Sequence, residues 1–372
     1  MKDDEQGRAV RGRIATTVVG AVALCCALPA PAGAIVGGER IAAGDAPWTV
    51  SLQTPDRTDG AYGSGHFCSA TVIGPRKVLT ARHCTEGTRL HESVVMTGSD
   101  DPAARPGRRV PIARAWVTAL IRDQGVLLTL REPGDVAVLE TTADLGVPAL
   151  PLSSAGVELP GGEPVTAYGY GRASWVRLPP REPALLRRAR MLLYSQAQCD
   201  ESNLATAAWF LCGGPAAGPG SGVVAMGDSG GTLVRQGAAG PELLGVPSTG
   251  TDGPLRDRVS GYASVAALRG FIDDPASGVE LPRPVGTPRV VGRARVGARV
   301  RCELRWSPRP ERIKVLWVFR AGGDESVRHS GPDGLRLPRS ASGRRVSCIA
   351  TGWSGALNGA GSRRSPQTAV VR

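Results

Sequence analysis

At 372 residues the chain can hold two globular domains, and its apolar content of 41% is ordinary for packed cores. The formal net charge of +12 is nearly all arginine and is lopsided: from Arg283 onward nineteen basic residues stand against five acidic ones, so the rest is close to neutral. The absence of a CxxC pair, a His-rich tract or an apolar run long enough for a stable span argues against a zinc site and against an integral membrane protein.

Taken in order, residues 1–34 read as a secretory signal. Arg8, Arg11 and Arg13 precede an apolar run from Ile14 to Leu28, and Ala32-Gly33-Ala34 is a small-x-small cleavage site. Cys25 and Cys26 invite a lipoprotein reading, but Leu24 is a poor residue before a lipidated cysteine. Asp3, Asp4 and Glu5 are atypical of a leader. The remaining cysteines, Cys68, Cys84, Cys199, Cys212, Cys302 and Cys348, are even in number, as expected of three disulfides in an oxidising compartment. The expected location is therefore secreted and extracellular, with no stable membrane span once the signal is removed.

Cleavage after Ala34 would expose Ile35-Val36-Gly37-Gly38. Pro47 to Leu52 alternates as a half-buried strand, His66 to Ile73 reads as a second, and Val78-Leu79-Thr80 leads through Arg82 into His83-Cys84. Asp135 opens the apolar run Val136 to Leu139, and Tyr168-Gly169-Tyr170-Gly171 follows. The centre of the chain is Gly227-Asp228-Ser229-Gly230-Gly231. A serine hydroxyl is a weak nucleophile near neutral pH and needs an adjacent base and a place for oxyanion charge. Glycines let the backbone turn sharply enough for the amides of Gly227 and Ser229 to converge on one oxyanion. Taken alone, the string also fits a plain Gly-rich turn capped by Asp. Leu243 to Gly250 and Gly261 to Val265 read as strands, and Ala266 to Ile272 as a helix. Many short strands punctuated by Gly and Pro suit two antiparallel barrels.

The ordered set Ile35-Val36-Gly37-Gly38, Thr80-Ala81-Arg82-His83-Cys84, Asp135-Val136-Ala137-Val138-Leu139 and Gly227 to Gly231 resembles the trypsin-like (chymotrypsin-fold) serine peptidases over roughly Ile35 to Ile272. The resemblance implies an all-β fold of two antiparallel six-stranded barrels with a C-terminal helix, and no cofactor or metal. It implies that Ser229 attacks the scissile carbonyl, His83 takes and returns its proton, and Asp135 fixes the His83 tautomer. Gly227 and Ser229 would form the oxyanion hole. Ser248 would bond the far side of Asp135, and Ser248, Thr249 and Gly250 would meet the substrate main chain. A freed Ile35 amine would pair with Asp228. His66 would be a structural histidine, Cys68–Cys84 would pin the His83 hairpin, and Cys199–Cys212 would sit on the rim of the second barrel. His91, His329 and Glu132 have no supporting motif and read as solvated or structural.

Three departures from the family matter. No cysteine stands near Ala225, where the family has one bonded across the pocket rim. Val223 falls where Arg/Lys-cleaving members carry Asp; a buried cation without a carboxylate is unfavourable, so an apolar P1 residue is expected, with Asp257 as the alternative acid. Arg82 replaces a small residue beside the histidine; it is expected to snorkel to solvent, or to lower the His83 pKa if it faces the imidazole.

The Pro- and Gly-rich stretch 275–288 reads as a linker. Beyond it, Cys302, Trp317 and Cys348 follow the Cys–Trp–Cys order of immunoglobulin-like sandwiches, although Val346 stands where a corner Tyr is usual. With Gly292 to Gly297, Trp306 and Asn358-Gly359, this part resembles Ig-like repeats appended to bacterial secreted proteins. The resulting division is a signal at 1–34, a peptidase domain at 35–274, a linker at 275–288 and a small Ig-like β-sandwich at 289–372. The reading is a secreted serine endopeptidase acting on protein or peptide substrates. Its rival is a catalytically silent binding or adhesion protein on a protease scaffold. The basic tail reads either as a contact for an anionic cell-surface polymer or as coding bias; it lacks the aromatic interleaving of nucleic-acid binders.

Overall fold

The computed structural model describes residues 35–54, 65–86, 89–118, 134–154, 161–173, 183–201, 210–251, 255–354, 358–361 and 364–372. The expected leader at 1–34 and Glu132 lie outside the described residues. A two-residue strand, β1 (Glu39–Arg40), precedes β2 (Thr49–Gln53), β3 (His66–Gly74), β4 (Lys77–Thr80), β5 (Val94–Thr97), β6 (Arg108–Val117) and β7 (Ala137–Thr141). Strands β2 to β7 pair antiparallel in the order β6-β5-β2-β3-β4-β7, and β6 also pairs β7, which closes a six-stranded barrel. Short strands of Val, Leu and Ala suit this closure: Val50, Leu52, Ala70, Val72, Val78, Leu79, Val138 and Leu139 are all fully buried.

The second barrel contains β8 (Pro164–Gly169), β9 (Arg187–Leu193), β10 (Phe210–Pro215), β11 (Thr232–Gly237), β12 (Gly240–Gly250) and β13 (Ser260–Ser264). Their order is β9-β10-β13-β12-β11-β8, with β8 returning to β9, while β1 adds to the outside of β9. Strand β9 looks too basic for a barrel. Its alternation resolves this, burying Arg187, Ala189, Met191 and Leu193 and exposing Arg188 and Arg190. A six-residue helix, α1 (Gln196–Glu201), carries Cys199, which is bonded to Cys212 on β10. The expected terminal helix is α2 (Arg269–Asp273), only five residues long.

The barrels meet along an apolar seam in which Val234, Leu243 and Val246 pack with the first barrel's core. Threonines cross the same seam: Thr232 Oγ1 lies 3.0 Å from Thr49 Oγ1 and 2.7 Å from Thr71 Oγ1. Every one of these hydroxyls is buried and bonded, so the seam carries no polar penalty from them.

Residues 275–288 differ from the expected linker. Strand β14 (Val279–Glu280) pairs with β6, setting Val279 opposite Val117 and Glu280 opposite Trp116. The Leu281 amide donates to the Ala115 carbonyl at 2.8 Å, and Arg114 makes two parallel bonds to Glu280 at 2.9 and 2.8 Å. An edge of β6 with open backbone groups accepts even two residues of extended chain, which is too little for periodicity to reveal. β15 (Arg283–Val291) starts only two residues later.

The rest of the chain forms two sheets. One is β15-β16-β19, with β16 (Arg299–Ser307) and β19 (Leu335–Arg336). The other is β18-β17-β20-β21, from β17 (Arg312–Ala321), β18 (Asp324–Ser330), β20 (Arg345–Ser354) and β21 (Asn358–Gly361). Between them lie Val300, Val315, Trp317, Phe319, Leu337 and Val346. The Cys302–Cys348 disulfide joins β16 to β20 across this core. Trp317 is fully buried, and its indole N–H donates to Ser330 Oγ at 2.8 Å.

Candidate active site

His83 sits on a 3-10 turn, Arg82–Thr85, at the end of β4, and the Cys68–Cys84 disulfide ties that turn to β3. Asp135 follows Gly134, whose φ of +90° and contact with Thr118 leave no room for a side chain. The two residues meet at two points. The His83 amide donates to Asp135 Oδ1 at 3.0 Å, and His83 Nδ1 donates to Asp135 Oδ2 at 2.8 Å. The Ser248 hydroxyl, on β12, donates to the same Oδ2. Burial alone would raise the Asp135 pKa, but these donors and the imidazole charge hold it below the ordinary carboxylate value. Burial would lower that of His83; the hydrogen bond and charge of Asp135, with a further contribution from Glu86, raise it instead. With Asp135 occupying Nδ1, Nε2 is the nitrogen left to accept a proton.

The Gly227–Gly231 turn is gripped by the first barrel. Ser69 Oγ donates to the Gly227 carbonyl at 3.0 Å and His66 Nε2 does so at 3.1 Å, while His66 Nδ1 faces Ser51 Oγ at 2.8 Å. These bonds hold His66 as a structural ring between β2 and the serine turn. The Ser69 amide donates to the Ser229 carbonyl at 2.9 Å. At Gly230, with φ of +79°, a Cβ would lie 2.0 Å from Thr80 Oγ1 and 2.4 Å from the Ser69 carbonyl. The amides of Asp228, Gly230 and Gly231 donate to Ala225, Pro247 and Asp228 carbonyls. Those of Gly227 and Ser229 have no hydrogen-bond acceptor among the described residues. They are the two donors this turn leaves open.

Beside Ser229 lies a cavity of about 220 Å³ lined by Val224, Ala225, Met226, Ser229, Pro247, Ser248, Thr249 and Gly250. None of these side chains is charged. Asp257 is exposed and is not in the lining. Cys68, His83 and Cys84 bring metal-ligating atom types together, but both sulfurs are committed to the disulfide.

Residues 35–272 match the trypsin family model, about two thirds of the chain. The chain belongs to the trypsin family. A relative named trypsin from Saccharopolyspora erythraea is 30% identical over 238 residues, 63% of this chain and 94% of that protein. Ovochymase-2 of Mus musculus is 30% identical over 231 residues, 58% of this chain and 35% of its own length. In fold, a solved structure of neuropsin, described as a serine protease expressed in the limbic system of mouse brain, superposes with a TM-score of 0.53 at 20% identity, covering 65% of this chain and all of that one. This is thus a trypsin-family serine protease domain followed by a β module, and protein or peptide substrates follow from the family. No helix among the described residues is long and apolar enough to cross a membrane.

Within this trypsin-family frame several expected residues fall elsewhere. Val223 does not line the cavity. Its amide donates to the Val36 carbonyl at 3.0 Å, and its side chain enters the second barrel's core. Val224, one residue on, faces the cavity instead. Arg82 does not snorkel: it is 3% exposed, with Nη2 4.0 Å from Glu86 Oε1, and it is not among the causes of the His83 shift. His91 lies 3.3 Å from Glu92, and His329 is exposed on β18. Ile35 is fully buried at φ +52°, but the Asp228 carboxylate bonds the Gly171 and Ala225 amides, at 2.7 and 2.8 Å, rather than Ile35. Burial lifts the Asp228 pKa to about 7, against the opposing pull of those amides and of the Arg187 charge. Sequence reasoning missed Glu86 and Arg187, which act through charge alone and belong to no motif.

Proposed function

We propose that the chain is a secreted serine endopeptidase that uses His83, Asp135 and Ser229. His83 Nε2 removes the Ser229 proton as Oγ attacks the scissile carbonyl, and Asp135 stabilises the imidazolium. The developing oxyanion takes the amides of Gly227 and Ser229. His83 then protonates the leaving amine, and water repeats the sequence to release the acyl group. Ser248, Thr249 and Gly250 align the substrate main chain. The observation that carries this reading is the Ser248–Asp135–His83 hydrogen-bond chain, set across the barrel seam from a serine turn with two open amides.

An apolar P1 side chain suits the cavity, because Val224, Ala225, Met226 and Pro247 offer no counter-charge to Arg or Lys. Secretion accords with three disulfides and with a leader at 1–34. Cleavage before Ile35 would free an amine for Asp228. Residues 35–274 form the peptidase in this reading, and the β module after them is an Ig-like sandwich on its Cys302–Trp317–Cys348 core. A silent binding scaffold is the weaker reading, since all three residues remain. Labelling by a fluorophosphonate decides between them: a chain beginning at Ile35 should be modified at Ser229, and its His83→Ala form should not. An unlabelled, well-folded chain would remove the peptidase reading.

A further inference from the structure

The two sheets of the C-terminal module treat their cations differently. Around the four-stranded sheet, Arg320 and Arg364 bond Glu325, and Arg312 and Lys314 lie over the Trp353 ring. On the three-stranded sheet, Arg299, Arg301, Glu303 and Arg305 alternate along β16 with less exposed neighbours. The register sets Arg336 opposite Arg299, Arg289 opposite Glu303 and Arg283 opposite Ser307. Directly opposed residues share a face of the sheet. This face therefore gathers six exposed arginines and one carboxylate, Glu303. None of the six makes an ion pair among the described residues; Arg336 donates to the neutral Gly297 carbonyl at 3.1 Å.

Like charges directly opposed on neighbouring strands, as at Arg299 and Arg336, destabilise a sheet. The four-stranded sheet also opposes two arginines, Arg320 and Arg345, but there Glu325 bonds Arg320, whereas no carboxylate bonds Arg299 or Arg336 among the described residues. Side chains here are spaced roughly 6.7 Å along a strand and about 4.8 Å between strands. At that spacing one tetrahedral oxyanion reaches two guanidinium forks, and arginine suits phosphate better than lysine for this.

We propose that the outer face of the β15-β16-β19 sheet is a docking surface for a linear, base-free phosphate polymer. Charge complementarity supplies the attraction. The rest of the face narrows the partner: besides the arginines it carries Glu303, Ser307, Val285 and Val291. It has no aromatic ring to stack on a nucleobase and no large apolar wedge for a bilayer.

The test uses full-length Ser229→Ala protein and immobilised long-chain inorganic polyphosphate. Arg299→Gln/Arg301→Gln/Arg305→Gln should bind at least about tenfold more weakly, with a salt slope reduced by about 2 to 3. Lys314→Gln/Arg328→Gln/Arg345→Gln removes equal charge from the other sheet and should change affinity less than about twofold. Near-ultraviolet circular dichroism of the tryptophans confirms folding of both. Equal losses in the two triple variants would reduce the effect to net charge and overturn the assignment. So would competition by orthophosphate as effective as that of polyphosphate at equal phosphate. Tighter binding of single-stranded DNA, or of phosphatidylglycerol vesicles, through the same three arginines would overturn the partner. Peptide hydrolysis by the same variants carrying Ser229 should be unchanged, so this test and the peptidase reading can fail independently.

Discussion

Asp135, half-buried, and Asp228, fully buried, both accept backbone N–H bonds, yet their environments push them in opposite directions. Asp135 has the imidazole, the His83 amide and the Ser248 hydroxyl aimed at it, and stays ionised. Asp228 has two amides and the charge of Arg187, which do not offset its burial, and its pKa rises to about 7. The first region is complete in the uncut chain. The second contains a carboxylate with no ion pair among the described residues, and Ile35, fully buried, has a φ of +52° that is unusual for a β-branched residue. Cutting the 34–35 bond removes that φ constraint and supplies an ammonium group. On the proposed reading, the Asp135–His83 pair is assembled before cleavage, and Asp228 gains its cation only when the 34–35 bond is cut.

The largest expected effect breaks the first region. Asp135→Asn should lower kcat/KM by about 10⁴-fold, because the amide favours the wrong His83 tautomer. A loss below tenfold would mean that Asp135 does not orient His83. Asp228→Asn, in a chain beginning at Ile35, should reduce turnover by roughly 10² to 10³-fold, since removing one partner of a buried ion pair leaves the other uncompensated. In the chain that retains Ala34 the same change should alter turnover little. Equal losses in both forms would sink the processing role.

A pH series sharpens the same contrast. A raised folded-state pKa means that the native chain binds the extra proton, so stability is full below the unfolded value of 3.8 and lost as pH rises towards about 7. Chemical denaturation of the uncut Ser229→Ala chain should show a loss of up to about 3 kcal/mol between pH 5 and 8. His83, also raised, adds a pH dependence of its own, so the Asp228→Asn difference isolates the Asp228 share. Asp135 acts with the opposite sign: its contribution is present above the ordinary carboxylate value and disappears as pH falls below it. An uncut Asp228→Asn chain with an unchanged pH dependence would show that Asp228 is ionised throughout. The smallest effect concerns Ser248. Ser248→Ala removes one of the donors to Asp135 and should lower kcat/KM about tenfold, with KM nearly unchanged; a change in KM alone would assign Ser248 to substrate binding instead.

Much of the barrel architecture was legible because its key positions demand unusual residues. Gly230 admits no side chain beside Thr80, and the turn around Ser229 declares itself in sequence for that reason. The His83 and Asp135 runs begin or end apolar strands, which periodicity detects. The family position of the pocket residue falls at Val223 only if no residue is inserted in the Gly-rich stretch before it, and sequence alone cannot count such insertions. The bond of Val223 to Val36 turns it inward, and a one-residue shift reverses every neighbour. Arg187 was hidden because arginines on β9 look solvated until pairing with β8 and β10 places alternate residues inside. Arg82 was expected at the surface for the same reason: a long cation reads as solvated, yet the tight 3-10 turn holds it 3% exposed beside Glu86.

Strand β14 has a consequence for reach. A flexible tether would let a docked enzyme sample a volume that grows with tether length. Here Val279 and Glu280 are hydrogen-bonded onto β6, Arg114 clamps Glu280, and only Leu281 and Pro282, both buried, precede β15. A peptidase fastened to its module so tightly would work like a blade on a fixed mount. On an anchored molecule, only substrates at one height and one aspect above the anchoring layer would be cut. Lengthening the Leu281–Pro282 junction would then widen the range of immobilised substrates cleaved, while leaving hydrolysis of freely diffusing peptides as it was.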